Sequence, residues 1–316
     1  MTVIGGSGFV GRHLVRALAR RGYRVRPAVR RPDLAGHLQP LGSVGQIMPM
    51  QANVRYPQSL AAACEGADIV INLVGVLYNA GAQTFDALHA FGAEAGARAA
   101  KQAGAKTYIQ MSAIGADDSS SSEYARSKAE GEIRARAQFP GTIVIRPSVI
   151  FGPEDELFNR FAALARMSPV LPLIGGGGTK FQPVFVGDVA EAITRLVEGG
   201  VEHAGKTYEL GGPEEMSLKE IMEFTLKTIG RKRFLAPVPF PVAKMKAAFL
   251  GLLPKPLLTM DQVELLREDN LVSETAVVEG RTLQGLGIVP EGVVAIVPSY
   301  LYRYRRAGQF TQVDGV

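Results

Sequence analysis

The sequence predicts an α/β fold built on a doubly wound parallel sheet, and three observations predict it. Short β-branched runs alternate with Ala-rich stretches through the first half of the chain. Two of those runs, Ile69-Val70-Ile71 and Ile143-Val144-Ile145, are apolar at every position, as strands covered on both faces are. A glycine-rich turn, Gly5-Gly6-Ser7-Gly8-Phe9-Val10-Gly11, directly follows the apolar run Thr2-Val3-Ile4.

Taken in order, strands are predicted over residues 2–4, 23–29, 45–50, 69–74, 107–111 and 142–145, and helices over 8–21, 57–65, 82–103 and 121–139. The first strand is short: either the sheet accepts a stub, or the strand begins upstream of Met1. After Arg146-Pro147 the alternation breaks. Pro153, Pro169, Pro172, the glycines at 175–178 and Pro183 crowd in, and longer helices follow over 217–229 and 259–268. The expected organisation is a Rossmann-type nucleotide-binding domain over 1–150 and a smaller, partly interleaved C-terminal α/β subdomain over 151–316. There is no internal repeat, and the serine run at 119–122 reads as a loop before the helix that carries Tyr124.

Composition narrows the function. An apolar share of 47% with 21% charged residues is that of an ordinary folded domain. The net charge of +5 is spread along the chain, with small clusters at Arg30-Arg31, Arg231-Lys232-Arg233 and Arg303 with Arg305-Arg306. No single element carries a basic stripe interleaved with aromatic residues, so nucleic acid is not an expected partner. The single cysteine, Cys64, cannot form a disulfide within the chain, which points to a reducing compartment, and its Ala-rich surroundings read as core. His13, His37, His89 and His203 are scattered without ligand spacing, so no metal is expected. No apolar run approaches the roughly 18 residues needed to cross a bilayer. No targeting segment precedes the first strand, so a bacterial chain without a transit peptide is expected.

The glycine turn reads as a phosphate cradle. Gly5 permits the tight turn, and Gly8 lets a diphosphate reach backbone amides at the helix start, with Ser7, Phe9 and Val10 around it. Gly11 allows close packing of helix on strand. A nicotinamide dinucleotide is the expected ligand. In this fold the residue after the second strand reads the adenosine ribose, and an acid there suits a 2′-hydroxyl. Here Arg30 and Arg31 follow the strand and no acid appears before Asp33, which favours a 2′-phosphate and hence NADPH. The alternative for that pair is a solvated basic turn.

Tyr124 and Lys128 stand at i and i+4, on one helix face. A tyrosine is a poor acid or base near neutrality, with a reference pKa of about 10, and a neighbouring ammonium lowers that value. Ser112, following Met111 at a strand end, is placed to hydrogen-bond a substrate carbonyl. Ser112, Tyr124 and Lys128 together make an acid–base site for hydride transfer to or from a carbonyl or alcohol.

These motifs resemble the short-chain dehydrogenase/reductase superfamily, in its extended or atypical branch. The segment Val70-Ile71-Asn72-Leu73-Val74-Gly75 resembles the branch's fourth strand, and the resemblance implies that Leu73, Val74 and Gly75 pass the cofactor. The segment from Arg146 through Pro147, Ser148, Val149 and Ile150 to Pro153 resembles the signature beside the nicotinamide, and implies that Pro147, Ser148, Val149 and Ile150 line the cofactor site with Met111. Residues 181–190 look like the start of the family's substrate subdomain. Two departures stand out: Asn53-Val54 occupies the place of the usual acid near the adenine, and Ile4 replaces a frequent Thr. Within the superfamily, residues 151–161, 182–184, 286–290 and 300–305 are similar to the accessory NADPH-binding subunits of respiratory complex I. That similarity implies a tightly held NADPH, no established substrate, and partners among the peripheral-arm subunits. It places the chain on the cytoplasmic face of a bacterial inner membrane, or on the matrix side in a eukaryote.

Residues 231–253 combine a basic edge with an apolar helix, suited to a membrane surface or a partner, or else to an ordinary helix of the subdomain. Three functions remain open from sequence: a complex I accessory subunit with a structural NADPH and vestigial Ser112, Tyr124 and Lys128; a free-standing NADP-dependent reductase or epimerase using them; and a nucleotide-sensing scaffold.

Overall fold

Seven parallel strands organise the first part of the chain in this computed structural model, which describes residues 1–251, 256 and 258–310. In chain order the first elements are β1 (Thr2–Ile4), α1 (Phe9–Arg20), β2 (Arg26–Val29), β3 (Met50–Gln51), α2 (Pro57–Cys64), β4 (Ile69–Asn72), α3 (Phe91–Gln102), β5 (Thr107–Met111), α4 (Glu123–Gln138) and β6 (Ile143–Pro147). Then come β7 (Ile150–Phe151), α5 (Phe158–Met167), β8 (Val170–Ile174), β9 (Lys180–Phe181), β10 (Val184–Phe185), α6 (Val186–Gly199) and β11 (Thr207–Leu210). They are followed by β12 (Met216–Ser217), α7 (Leu218–Thr228), β13 (Phe234–Val238), α8 (Phe240–Leu250) and α9 (Met260–Leu265).

The main sheet runs β11-β6-β5-β4-β1-β2-β3. The chain reverses its winding between β1 and β4, and in doubly wound sheets ligands sit at the carboxyl ends of the strands beside such a reversal. Ile4 is in register with Ala28 and Asn72, and Asn72 with Gln110, so the turns after β1, β2, β4 and β5 all leave the sheet at one edge.

Several expected boundaries move, among them the start of β2 at Arg26 and the end of α9 at Leu265, and three of the shifts have a local reason. β4 ends at Asn72 because the Asn72 side-chain oxygen accepts the Val74 N–H at 3.1 Å and turns the chain. The strand expected over 45–50 shortens to Met50–Gln51. Ser43 to Gln46 forms a turn with Gly45 at φ +75°, leaving only a bridge from Val25 to Ile47. The helix expected over 82–103 begins as a π-type turn, Asp86–Ala90, that runs into α3. α3 buries Ala93, Ala97 and Ala100 with Leu60, Val70 and Tyr108, and its small side chains let neighbouring elements approach closely.

By compactness the chain forms two units. The first comprises Met1–Pro147, Gly187–Leu210 and Glu274–Ile288 and holds the whole seven-stranded sheet. The second comprises Ser148–Val186, Gly211–Ser273 and Val289–Val316. It carries three two-stranded sheets, β7 with β10, β9 with β12 and β8 with β13. Its core gathers Phe151, Phe158, Leu171, Ile221, Val293 and Tyr300. Within it the buried Tyr300 hydroxyl donates to Asp155 at 2.5 Å. α7 starts at Ser217 with a reciprocal cap to Glu220, and α9 at Thr259 with one to Gln262.

Candidate functional site

The glycine turn is built as a cradle. Gly5 has φ +80°, a left-handed conformation that glycine adopts without strain. A β-carbon on Gly11 would lie 2.5 Å from the Gly5 carbonyl oxygen and 2.6 Å from the Gly6 carbonyl carbon, so the first turn of α1 rests on the loop's own backbone. Gly6, which the sequence reading passed over, is equally constrained: its β-carbon would meet Pro27 Cβ at 2.8 Å. Gly8 caps α1 without any side-chain hydrogen bond. The first amides of a helix have no intrahelical acceptor, so those of Phe9, Val10 and Gly11 present donors and the positive end of the helix dipole.

The turn after β4 closes the other side of the cradle. A β-carbon on Gly5 would touch Val74 Cγ2 at 3.2 Å and the Leu73 backbone at 3.5 Å. The fold thus brings Gly5, Leu73 and Val74 together across the reversal point. Below them Asn72, fully buried, donates to Gln110 Oε1 at 3.0 Å, and Tyr108 donates to the same oxygen at 2.8 Å.

After β2, Arg30 and Arg31 are both exposed. Arg30 donates to Gln83 Oε1 at 2.8 Å. Arg31 grips the Asp33 carboxylate with two nitrogens, its Nη2 at 2.7 Å. Asp33 therefore supplies the anion that Arg31 holds in this structure. Asn53 uses its side-chain oxygen to accept the Arg55 N–H at 3.1 Å, a turn that leads into α2, and Val54 is buried.

Ser112 leaves β5 with its N–H bonded to Ile145 O at 2.7 Å. Its hydroxyl oxygen is buried and, among the described residues, has no hydrogen-bond partner. On α4, Ser122 caps the helix by accepting the Ala125 N–H, and Tyr124 is half-buried. Lys128 is buried, with its ammonium 5.6 Å from the centre of the Tyr124 ring. A β-carbon on Gly75 would lie 3.2 Å from that ammonium, so α4 and the β4 exit meet at Lys128. Burial lowers the Lys128 pKa to about 8, with Glu132 acting in the opposite sense. Glu132 itself is held by Arg146 through two bonds of 2.9 and 2.8 Å.

The sequence reading missed His89. Phe85 stacks on its ring and Tyr124 meets it edge-on. Its Nε2 accepts the Val76 N–H at 3.0 Å and its Nδ1 lies 2.9 Å from Ser127 Oγ. No motif marks it, because its partners come from two other elements.

Pro147 ends β6 in the first unit, whereas Ser148, Val149 and Ile150 belong to the second. There the Ser148 hydroxyl donates to Asn270 Oδ1 at 2.7 Å and accepts the Gln182 N–H, and the Val149 carbonyl accepts the Val184 N–H. Cys64 is buried, with its thiol pushed up to about 11 by desolvation. Among the described residues, no group of three or more His, Cys, Asp or Glu side chains is placed to hold a metal ion, and no helix is long and apolar enough to cross a membrane.

Residues 5–138 match the NAD(P)H-binding family model. The chain is 36% identical over 97% of its length to the mitochondrial NADH dehydrogenase (ubiquinone) 1 alpha subcomplex subunit 9 of Arabidopsis thaliana, covering 78% of that protein. It is 31% identical over 96% of its length to the mitochondrial NADH-ubiquinone oxidoreductase 40 kDa subunit of Neurospora crassa, covering 79% of it. Among solved structures, a dTDP-glucose 4,6-dehydratase of Streptomyces venezuelae with NAD bound superposes with a TM-score of 0.71 at 21% identity, over 98% of this chain and 97% of that one. The fold is that of the extended short-chain dehydrogenase/reductases.

Proposed function

Because the chain belongs to the family of NADH dehydrogenase (ubiquinone) 1 alpha subcomplex subunit 9, we propose that it is an NADP(H)-binding accessory subunit of a respiratory NADH:quinone oxidoreductase, with a largely structural cofactor. The observation that carries the nucleotide half is the contact between Gly11 and the Gly5 carbonyl, which leaves the amides at the start of α1 open to an anion. The partner half rests on kinship with subunits of mitochondrial NADH–ubiquinone oxidoreductases.

The chain's own residues fit the dinucleotide. The cradle from Gly5 to Gly11 takes the diphosphate. Arg30 and Arg31 take a 2′-phosphate, which competes with Asp33 for the Arg31 fork. Asn53 and Val54 face the adenine, and Leu73, Val74, Gly75 and Met111 bound the path toward the nicotinamide. Lys128 donates to ribose hydroxyls, and Pro147 at the end of β6 completes the site within the first unit. When bound, NADPH supplies a hydride. In this reading Ser112, Tyr124 and Lys128 chiefly position the cofactor, and a ligand held by the native state alone stabilises that state by mass action.

The second unit supplies the docking surface. On α8, Val242, Met245 and Phe249 lie on one exposed face, while Ala243 and Ala247 are buried on the other. With the exposed Lys246 on the same helix this makes an apolar surface with a basic neighbour, suited to the headgroup region of a membrane on the cytoplasmic face of a bacterial inner membrane. Leu252 and Leu253, expected to extend that helix, lie outside the described residues.

A free-standing NADP-dependent reductase or epimerase is the second reading. The buried Ser112 hydroxyl favours it, because a substrate oxygen would supply the missing partner. One preparation separates the two readings. Purified from native membranes, the chain is expected to co-migrate with NADH:quinone oxidoreductase activity and to release NADP(H), identified by mass. A solitary protein that reduces a defined carbonyl supports the second reading. A preparation empty of pyridine nucleotide, and indifferent to added NADPH and NADH, overturns both.

A further inference from the structure

The ligand-facing side of α4 is not held by α4 alone. Val76, just past Gly75, donates its N–H to His89 Nε2 at 3.0 Å. Because that nitrogen accepts, the proton of the neutral imidazole sits on Nδ1, which donates to Ser127 Oγ at 2.9 Å. Ser127 in turn donates to the Tyr124 carbonyl oxygen at 2.8 Å. A single ring thus ties the β4 exit to the helical turn between Tyr124 and Lys128.

The backbone is arranged to put the ring there. The π-type turn Asp86–Ala90 inserts one extra residue ahead of α3 and carries His89 inward. α4 approaches that turn so closely that a β-carbon on Gly131 would lie 2.3 Å from the His89 carbonyl oxygen. Phe85 stacks on one face of the imidazole at 5.4 Å between centroids, and Tyr124 stands edge-on at 5.3 Å. Burial and the Lys128 charge push the imidazole pKa down to about 2, so it stays uncharged beside the ammonium. A charged ring there would repel Lys128, and an apolar one would strand the Val76 N–H and release Ser127 from the ring.

We propose that His89 is the positioning residue of the nicotinamide half of the dinucleotide site: it locks Gly75 and Val76 against the face of α4 that presents Tyr124 and Lys128. The inference rests on the nucleotide-binding reading. His89 itself need not touch the cofactor; it acts through the placement of Lys128 and the β4 exit.

Two ligands and three variants test it in the full chain. NADPH binding is followed by nicotinamide fluorescence, and 2′-phospho-ADP, which lacks the nicotinamide and its ribose, by calorimetry. In His89→Phe, which keeps a ring but neither donates nor accepts, the Kd for NADPH is expected to rise about tenfold while that for 2′-phospho-ADP stays within about twofold. His89→Gln, with one acceptor and one donor, is expected to restore most of the loss. Ser127→Ala removes the imidazole's acceptor and is expected to show the same split in smaller measure, which keeps the test decisive if His89→Phe does not fold. Equal weakening of both ligands, or no weakening of NADPH, in the folded variants overturns the proposal. A wild-type protein that binds neither ligand overturns instead the nucleotide-binding reading beneath it.

Discussion

The Lys128 ammonium stands 3.2 Å from the point that a β-carbon on Gly75 would occupy. A buried lysine is thus parked close against the strand exit, where a side chain at residue 75 would press on its ammonium. Burial lowers its pKa from 10.5 to about 8, so the folded state releases this proton before the unfolded chain does. Below pH 8 both states carry the charge, and its burial costs on the order of 3 kcal/mol. Between pH 8 and 10.5 the unfolded state binds more protons, so this contribution to stability rises with pH.

Lys128→Met is therefore expected to raise the melting temperature of the nucleotide-free protein by several degrees at pH 7. The advantage should shrink as pH rises from 8 to 10.5, while NADPH affinity falls. Melting curves across that pH range, with and without NADPH, check both. A variant less stable than wild type at pH 7 would show that the ammonium is better compensated than its burial implies.

Gly11→Ala forces a β-carbon onto the backbone of Gly5 and Gly6, neither of which can yield as a side-chain tip would. The expected loss is about 1–3 kcal/mol of stability together with nucleotide binding. Denaturant unfolding and NADPH titration measure the two separately. Retained binding at wild-type strength would mean that the cradle is not the diphosphate site.

Arg31→Ala is expected to lower the ratio of NADPH to NADH affinity by about tenfold, because a charge-assisted bond to a phosphate is lost. Asp33→Asn should move the ratio the other way, since it frees the guanidinium fork that Asp33 now occupies. Paired titrations with both nucleotides read the effect. A ratio unmoved by either change would remove the 2′-phosphate from this turn.

Tyr124→Phe keeps the ring that packs against His89 and Phe85 but removes the phenolic proton. If the cofactor is structural, membranes carrying this variant should assemble the respiratory complex and oxidise NADH at an unchanged rate. A large fall in activity with assembly intact would make Tyr124 a proton donor.

Met245→Glu with Phe249→Glu places two carboxylates on the exposed face of α8. Flotation with vesicles of anionic phospholipid is expected to capture the wild-type protein at low salt and to lose the variant, while NADPH binding in the first unit persists. Equal flotation of the two proteins would remove α8 from membrane docking.

Much of the candidate site's framework was legible because it is local. The turn from Gly5 to Gly11 follows its strand and opens its helix within a few residues, and Tyr124 and Lys128 share a face by helical spacing alone. What resisted reading was assembled from distant segments. Lys128 meets Gly75 from a distant strand exit, and the role of Ser127 depends on His89. The Arg31–Asp33 pair is close in sequence, but charge and spacing do not reveal which anion the arginine prefers. The first compact unit is assembled in the same way: segments 187–210 and 274–288 join it, the former through the pairing of β11 with β6, a pairing across the chain that carries no local mark.

By itself the sequence determined the order of strands and helices, the glycine turn between β1 and α1 and the shared face of Tyr124 and Lys128 on α4, since these follow from backbone freedom, apolar periodicity and side-chain spacing along one stretch of chain. Tertiary structure alone decided which groups are dry, which are paired and which are left without a partner. Those properties depend on what other segments bring to the same few ångströms, and they set the uncharged state of His89, the lowered pKa of Lys128 and the solitary hydroxyl of Ser112.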